Sequence, residues 1–185
     1  MAKKLDKVLV VDLESTCWKG APPAGQESDI IEIGLCVLDA RNLEVGESRG
    51  ILVRPRRSQV SEFCTELTTL TAEQIEREGI AFADALKILR KDYDSRNLVF
   101  ASYGDYDRRM VERQCRELEQ PYPFGPTHLN VKSMLALAFG WPFEVGMAGA
   151  LERLGLELKG THHRGVDDAA NIARLLCYML QKTRA

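Results

Sequence analysis

The pattern of hydrophobic and polar positions changes along the chain and marks the predicted elements. Val8–Val11 is a run of four apolar residues, three of them β-branched. Such a run is too short for a helix and predicts a strand buried on both faces. Residues 28–39 and 48–53 are predicted to form two more strands, and their short connection favours an antiparallel pair. The first part of the chain is therefore predicted to be a three-stranded meander.

The remainder of the chain alternates helical patterns with short apolar runs. Thr71 is placed to cap a helix that begins at Ala72, with Gln74 three residues beyond the cap. Short strands are predicted at residues 98–102 and 127–131. The further helices are predicted at about residues 81–94, 108–119, 132–139, 147–154 and 166–182. A meander followed by this alternation predicts an α/β domain with a mixed sheet of about five strands flanked by helices.

Length and charge limit the possible functions. The 185 residues suit one domain with one sizeable core, and no internal repeat or linker divides them, so residues 1–185 are expected to form a single domain. Hydrophobic residues make up 45% and charged residues 28%, which is ordinary for a globular protein. The net charge of -2 argues against an extended basic surface. Any nucleic-acid contact must therefore be local, through a patch or through bound metal.

The sequence predicts a cytoplasmic protein that does not associate with membranes. No stretch is long and apolar enough to cross a bilayer, and Met1–Lys7 lacks the apolar run of a signal peptide. The five cysteines are odd in number, scattered and free of any C-x-x-C pair, so they are expected to be reduced thiols. The oligomeric state stays open.

Two acidic residues follow directly on the first strand. Asp12 and Glu14 are two positions apart, so in a strand both side chains point to the same side. Two adjacent carboxylates repel each other, and a hard divalent cation between them is the simplest way to hold such a pair. The alternative is a strand end that carries two solvated acids.

Further acids occur at the ends of other predicted elements. Asp107 follows the strand at 98–102 and precedes a helix, with Asp105 as a competing candidate. Asp168 and its neighbour Asp167 lie in the first turn of the last helix, where carboxylates interact favourably with the helix dipole. Carboxylates gathered at one point suit Mg²⁺ or Mn²⁺, which prefer oxygen ligands. Glu32, on the second strand, is predicted to be structural.

A histidine near the last acids adds a candidate general base. With an ordinary pKa of about 6.5, such a side chain can take a proton from water near neutral pH. Two divalent ions about 4 Å apart can clamp an in-line displacement at phosphorus. His163 precedes Asp168 by five positions, but His162 precedes Asp167 by the same interval, so spacing alone leaves the register open. A helix cap or a surface pair is the structural alternative.

Three motifs occur in the order found in the DEDDh 3′→5′ exonucleases, and the chain resembles that family. They are Asp12–Thr16, Tyr106-Asp107, and His163 with Asp168. Finer similarity extends to the subgroup that includes the histone-mRNA and RNA-interference-linked exonucleases and their bacterial relatives. It is carried by residues 63–68, 128–132 and 154–156. The resemblance covers nearly the whole chain and implies a ribonuclease-H-like fold in a single exonuclease domain.

The resemblance also implies roles for the acidic residues and the histidine. Asp12 would bridge two metal ions, Glu14 and Asp168 would complete one metal site, and Asp107 would support the other. His163 would be the general base. The subgroup pattern His-x-Gly-hydrophobic-Asp-Asp supports the register of His163 with Asp168, and the aromatic-Asp pattern supports Asp107.

Substrate contacts follow from the same resemblance. The side chain of Ser15 or Thr16 would hold the terminal nucleotide, and Phe63 and Tyr106 would flank its base, where stacking contributes about 1–3 kcal/mol. Ordinary core packing is the alternative for both aromatic residues. Two basic residues are further candidates for phosphate contacts: Lys132 and Arg164.

The expected function is that of a 3′→5′ exonuclease that uses two Mg²⁺ or Mn²⁺ ions. It would release nucleoside 5′-monophosphates from single-stranded nucleic acid with a 3′ end, with RNA favoured over DNA. Three alternatives stay open: a DNA-directed proofreading-type exonuclease, a non-catalytic nucleic-acid-binding or partner-binding module of the same fold, and a metal-dependent phosphatase acting on small molecules.

Overall fold

The structure is a computed structural model that describes residues 5–184. The first four residues of Met1–Lys7, the segment predicted not to be a signal peptide, lie outside the described residues. Its strands are β1 (Lys7–Ser15), β2 (Ile30–Asp39), β3 (Glu44–Leu52), β4 (Val99–Ser102) and β5 (His128–Asn130). Its helices are α1 (Glu62–Thr68), α2 (Ala72–Glu78), α3 (Phe82–Asp92), α4 (Tyr106–Glu117), α5 (Val131–Ala138), α6 (Met147–Arg153) and α7 (Gly165–Arg184). No helix within residues 5–184 combines the length and hydrophobicity needed to cross a bilayer.

The five strands form one mixed sheet in the order β3-β2-β1-β4-β5. β1 pairs antiparallel with β2 and parallel with β4, while β2–β3 is antiparallel and β4–β5 is parallel. The continuous apolar run of β1 is explained by packing on both faces. Val8 and Val10 belong to the core under α7, whereas Leu9 and Val11 belong to the core under α3 and α4. The predicted α/β class is confirmed.

Local differences from the predicted elements have local causes. β3 begins at Glu44, earlier than the predicted start at residue 48, because a turn with Leu43 at φ 60° lets Glu44 pair with Asp39. Most of this edge strand is exposed, so it lacks an apolar pattern. Helix α1, which was not among the predicted helices, is capped by Ser61. The predicted cap Thr71 is confirmed, since its side chain accepts a hydrogen bond from the Gln74 amide at 3.1 Å.

Two glycines allow α7 to begin directly against the sheet. A Cβ on Gly34 of β2 would lie 1.8 Å from the carbonyl oxygen of Gly165, the first residue of α7. A Cβ on Gly165 would in turn lie 3.1 Å from the carbonyl oxygen of Asp12. This backbone-to-backbone approach brings the first turn of α7 against β1 and β2, and it therefore brings Asp168 to the carboxyl end of β1.

Substitution of Gly34 tests this packing. We expect Gly34→Ala to lower the free energy of unfolding by more than about 3 kcal/mol, because the methyl group would meet backbone atoms that cannot move aside. The matched control is Gly149→Ala within α6, where the nearest atom to the new Cβ is 3.9 Å away. That control should stabilise the protein by up to about 1 kcal/mol through helix propensity. Urea denaturation of both variants measures the difference, and equal stabilities would contradict the packing.

Candidate active site

A cavity of about 430 Å³ lies at the carboxyl end of β1. All five residues predicted as catalytic line it, although they come from four different segments of the chain. β1 supplies Asp12 and Glu14, α4 supplies Asp107, the loop before α7 supplies His163, and α7 supplies Asp168. The structure thus brings the five residues to one place.

The strand geometry of β1 sets the first two acids side by side. Asp12 and Glu14 both face the cavity, and Leu13 between them packs into the core beneath α3 and α4. The pairing of β1 with β2 becomes irregular between Glu14 and Ser15. Carboxylate oxygens of Asp12, Glu14 and Asp168 all lie within 4.8 Å of one another, which is close enough for one cation to contact all three.

Asp107 is fixed by the backbone of the neighbouring strand. The amide of Leu13 donates a hydrogen bond of 3.0 Å to its carboxylate, and the side chain is 4% exposed. The competing candidate Asp105 is oriented differently: its half-exposed carboxylate lies near Arg108 and His128, and it does not line the cavity. Within the first turn of α4, the geometry therefore favours Asp107.

The electrostatics of the cavity disfavour four ionised carboxylates. Burial, followed by repulsion from Asp107, Glu14 and Asp168, raises the pKa of Asp12 well above its ordinary value. Burial and the neighbouring acids raise the pKa of Glu14 to about 8, and burial raises that of Asp107 to about 7. Burial also raises the pKa of Asp168. Such a cluster has an excess of negative charge that a divalent cation would balance.

These raised pKa values predict a pH dependence for the cation-free protein. Glu14 keeps its proton up to about pH 8 when folded but only to about pH 4.5 when unfolded. The folded state therefore binds more protons in that window, and the free energy of unfolding should fall as the pH rises through it. Thermal denaturation in excess EDTA, between about pH 5.5 and about pH 8.5, measures this fall. Glu14→Gln is the matched variant and should show a shallower decline; an equally steep decline would contradict the assignment.

Two histidines face the cavity from the loop before α7. The His162 Nδ1 lies 3.0 Å from a carboxylate oxygen of Asp168, and the backbone amide of His163 donates to the same oxygen at 2.9 Å. The two rings stack with centroids 4.0 Å apart. Among residues 5–184, no side chain or backbone group forms a hydrogen bond with the His163 ring. Burial and the adjacent His162 lower the pKa of His163, which favours its neutral, proton-accepting form.

The two possible registers differ in their acids. Asp167 accepts a hydrogen bond from the Thr161 amide at 2.8 Å and does not line the cavity, whereas Asp168 does. The structure therefore favours Asp168 as the acid of the site. Both His162 and His163 line the cavity, so the choice of His163 as general base stays a prediction.

An ion pair ties the histidine loop to the sheet. Glu32 is 1% exposed and accepts a hydrogen bond from the Gly165 amide at 2.9 Å. Arg164 reaches the same carboxylate, with its Nε 3.2 Å from a Glu32 oxygen. This arrangement is structural for Glu32, as predicted, and it directs the Arg164 guanidinium towards Glu32 as well as towards solvent. Lys132, the other predicted phosphate contact, lies 3.7 Å from Glu144.

The mouth of the cavity carries two of the four predicted substrate contacts. The Ser15 hydroxyl and the Tyr106 hydroxyl lie 2.8 Å apart, and both residues line the cavity. Tyr106 is 56% exposed, which leaves its ring accessible to a ligand. Leu67 of α1 also lines the cavity and is 36% exposed.

The other two predicted substrate contacts do not line the cavity. Thr16 is 1% exposed, and its hydroxyl accepts from the Asp29 amide at 2.9 Å and lies 2.7 Å from the Ser58 hydroxyl, so it is committed to holding two loops together. Phe63 lies on α1 one turn before Leu67, and Leu67 is the residue of this helix that reaches the cavity. Positions i and i+4 share a helix face, so a sequence motif that covers both does not reveal which of the two side chains lies nearer the cavity. Tyr103 and Met147 also line the cavity, and no sequence motif marked them.

Comparisons with known proteins agree with this geometry. A family model described as Exonuclease (RNase_T) matches residues 9–176. The chain is 32% identical over 186 residues to the 3'-5' exoribonuclease 1 of Rattus norvegicus, covering 95% of this chain and 53% of that protein, so it spans about half the length of this relative. It is 26% identical over 172 residues to the probable 3'-5' exonuclease KapD of Bacillus subtilis, covering 92% of this chain and 82% of that protein.

A solved structure matches the fold over almost the full chain. It is described as the nuclease domain of 3'hExo, a DEDDh family member, bound to rAMP. The TM-score is 0.87 at 29% sequence identity, and the match covers 98% of this chain and 95% of that one. The predicted ribonuclease-H-like fold class and the resemblance to DEDDh exonucleases are thereby confirmed.

Proposed function

The chain belongs to the exonuclease family, and from that premise we propose that it is a 3′→5′ exonuclease. It removes nucleoside 5′-monophosphates from single-stranded nucleic acid, and RNA is its preferred substrate. The observation that carries the proposal is the set of buried carboxylates from Asp12, Glu14 and Asp168, whose oxygens lie within 4.8 Å of one another at the base of an open cavity. A protein that only binds nucleic acid gains nothing from a self-repelling acidic cluster.

The fold family implies divalent metal ions, and the residues present fit them. The candidate ligands Asp12, Glu14, Asp107 and Asp168 offer only hard carboxylate oxygens, which suit Mg²⁺ and Mn²⁺. Burial is the largest cause of their raised pKa values, and neighbouring carboxylates raise those of Asp12 and Glu14 further, so bound cations would favour the ionised forms. We propose two ions per site, which would supply activation of the attacking water and charge stabilisation at the leaving oxygen.

The protein residues around these ligands orient the site and move the proton. The Leu13 amide fixes Asp107, and the His163 amide fixes one oxygen of Asp168, so both carboxylates are held in place before substrate arrives. The imidazole of His163 receives the proton of the attacking water at a ring nitrogen, because burial keeps this ring neutral. The exposed ring of Tyr106 offers a stacking surface for the terminal base, and its hydroxyl holds Ser15 beside it.

The preference for RNA is supported by the relatives. The rat relative is named as an exoribonuclease, and the matched nuclease domain was solved with a ribonucleotide, rAMP. We further propose that the chain forms one exonuclease domain, since a single sheet contributes to both of its large core clusters. A reducing compartment such as the cytoplasm suits its five free cysteines.

The substrate class is tested with single-stranded RNA and DNA of the same sequence. With Mn²⁺ or Mg²⁺ we expect the RNA to be degraded faster than the DNA. The difference in rate would report recognition of the 2′-hydroxyl, the group by which a protein distinguishes RNA from DNA. Excess EDTA should abolish cleavage of both. Faster cleavage of DNA would favour a DNA-directed exonuclease, and full activity in EDTA would refute the metal-dependent mechanism.

A further inference from the structure

A second cavity lies next to the candidate active site. It has a volume of about 460 Å³, and Tyr106 lines both cavities. Its other lining residues are Ser28, Arg109, Met110 and Arg113. Because Tyr106 stands between the two spaces, a chain that leaves the catalytic cavity past the ring of Tyr106 enters this second cavity.

The charge of the second cavity is positive. Its lining contains two arginines and no acidic residue. The Arg109 side chain is 73% exposed, and Asp105 approaches it only to 4.0 Å. By contrast, the cavity beside His128 contains Arg108 together with Asp105 and Glu112, so its positive charge is balanced. On a chain with a net charge of -2, a basic cavity beside the acidic site is a local feature rather than part of a general basic surface.

The two arginines of the second cavity lie in a row along α4 that begins at the active site. Tyr106 begins the helix, and Arg109 and Arg113 follow on one face, separated by one turn or about 6 Å of rise. That separation is comparable to the distance between successive phosphates of an extended single strand. Arg113 is 30% exposed, donates to the Ser28 carbonyl and lies 4.0 Å from Glu117, so its guanidinium is held in place at the wall of the cavity and part of its charge is balanced there. The row therefore leads outward from the active site.

We propose that this cavity binds the phosphodiester backbone on the 5′ side of the scissile bond, with Arg109 and Arg113 as the phosphate contacts. The inference rests on the proposed function, since it assigns the path of the substrate strand beyond the terminal nucleotide. Bases need not be read there, because the contacts are to the backbone. The surface thus helps to select a polynucleotide end over a mononucleotide ester.

The test separates binding from catalysis. Anisotropy of a 5′-fluorescein-labelled single-stranded RNA of about 12 nucleotides, in excess EDTA and over a range of NaCl concentrations, reports backbone binding without turnover. The variants are Arg109→Gln and Arg109→Glu. The matched control is Arg116→Glu, which makes the same charge change at an exposed position of α4 that does not line the cavity.

We expect Arg109→Glu to weaken RNA binding at least about fivefold more than Arg116→Glu does, with Arg109→Gln in between. The slope of log K against log salt should become shallower by about 0.7 for the lost phosphate contact. In cleavage assays with Mn²⁺, Arg109→Glu should lose more activity on the long RNA than on a dinucleotide, which lacks upstream phosphates.

Equal affinities and salt slopes for Arg109→Glu and Arg116→Glu would overturn the proposed path, whether or not the protein is a nuclease. So would wild-type binding no tighter than that of Arg109→Glu. If the predicted difference appears but no substrate is cleaved with Mn²⁺, the proposed function fails while the binding surface stands. If both substrates are cleaved and Arg109→Glu reduces them equally, the nuclease stands and the path is wrong.

Discussion

Replacement of Asp12 by Asn is expected to abolish nuclease activity and to stabilise the cation-free protein. Asp12 faces the cavity beside Glu14 and Asp168, so its replacement removes one of the proposed metal ligands. We expect turnover to fall at least about 10³-fold, which corresponds to roughly 4 kcal/mol of lost transition-state stabilisation. The same change removes a carboxylate whose charged form is disfavoured by burial and by Asp107, Glu14 and Asp168. Stability without metal should therefore rise by about 1–2 kcal/mol.

Two measurements on the same preparation check the expected loss of activity and the expected gain in stability. Thermal denaturation in EDTA should show a Tm increase of a few degrees for Asp12→Asn, at about 2–4 °C per kcal/mol for a protein of this size. Cleavage assays with Mn²⁺ should show no product above background. Asp39→Asn is the matched control, because hydrogen bonds from the Asn42 and Arg41 amides lower the pKa of Asp39 and favour its charge. That control should keep its activity and gain no stability; Asp12→Asn with turnover within tenfold of wild type would refute the role of Asp12.

Replacement of His163 by Ala is expected to produce the second large loss of activity. A positioned general base contributes about 10²–10⁴-fold to proton transfer, and removal of its imidazole should cost that factor in kcat. Because burial and His162 lower the pKa of His163, the ring should stay neutral down to pH values below 6.5. At saturating Mn²⁺, which favours the ionised carboxylates, the wild-type rate should therefore decline only when the pH falls below that value, and this decline should be absent in the variant.

His162→Ala is the matched comparison for the general base. The His162 ring lies 3.0 Å from the Asp168 carboxylate, so its removal disturbs a candidate ligand without removing the proton acceptor. We expect a smaller loss in kcat for His162→Ala than for His163→Ala when rates are measured at saturating Mn²⁺ and RNA. A larger loss for His162→Ala would assign the general base to His162 instead.

The positions of the acidic residues could be predicted from sequence because strand geometry determines them. β1 is a short apolar run between two layers of helices, and the period of two in a strand places Asp12 and Glu14 on one side. β4 lies parallel to β1, so the segment after it ends at the same edge of the sheet and brings Asp107 there. Asp168 follows from the family motif, and its placement depends on the close approach of α7 to β2 at Gly34.

Other features depend on contacts between residues that are distant in sequence, and no local pattern reveals them. The Glu32–Arg164 pair joins residues 132 positions apart, and it turns a predicted phosphate contact towards the sheet. Thr16 belongs to the first motif, yet a hydrogen bond to the Asp29 amide commits its hydroxyl to loop packing. The second cavity could not be predicted from the sequence for the same reason. Arg109 and Arg113 are recognised as neighbours of the active site only when the structure places Tyr106 at the mouth of that site.

The central claim is tested most directly by a time course on a short single-stranded RNA labelled at its 5′ end, incubated with the wild-type protein and Mn²⁺. The account predicts a ladder of labelled products that shortens one nucleotide at a time from the 3′ end, with release of nucleoside 5′-monophosphates. It also predicts that the ladder is absent with excess EDTA. Intact RNA under conditions where the protein still binds it would contradict the account and would indicate a binding module of the same fold.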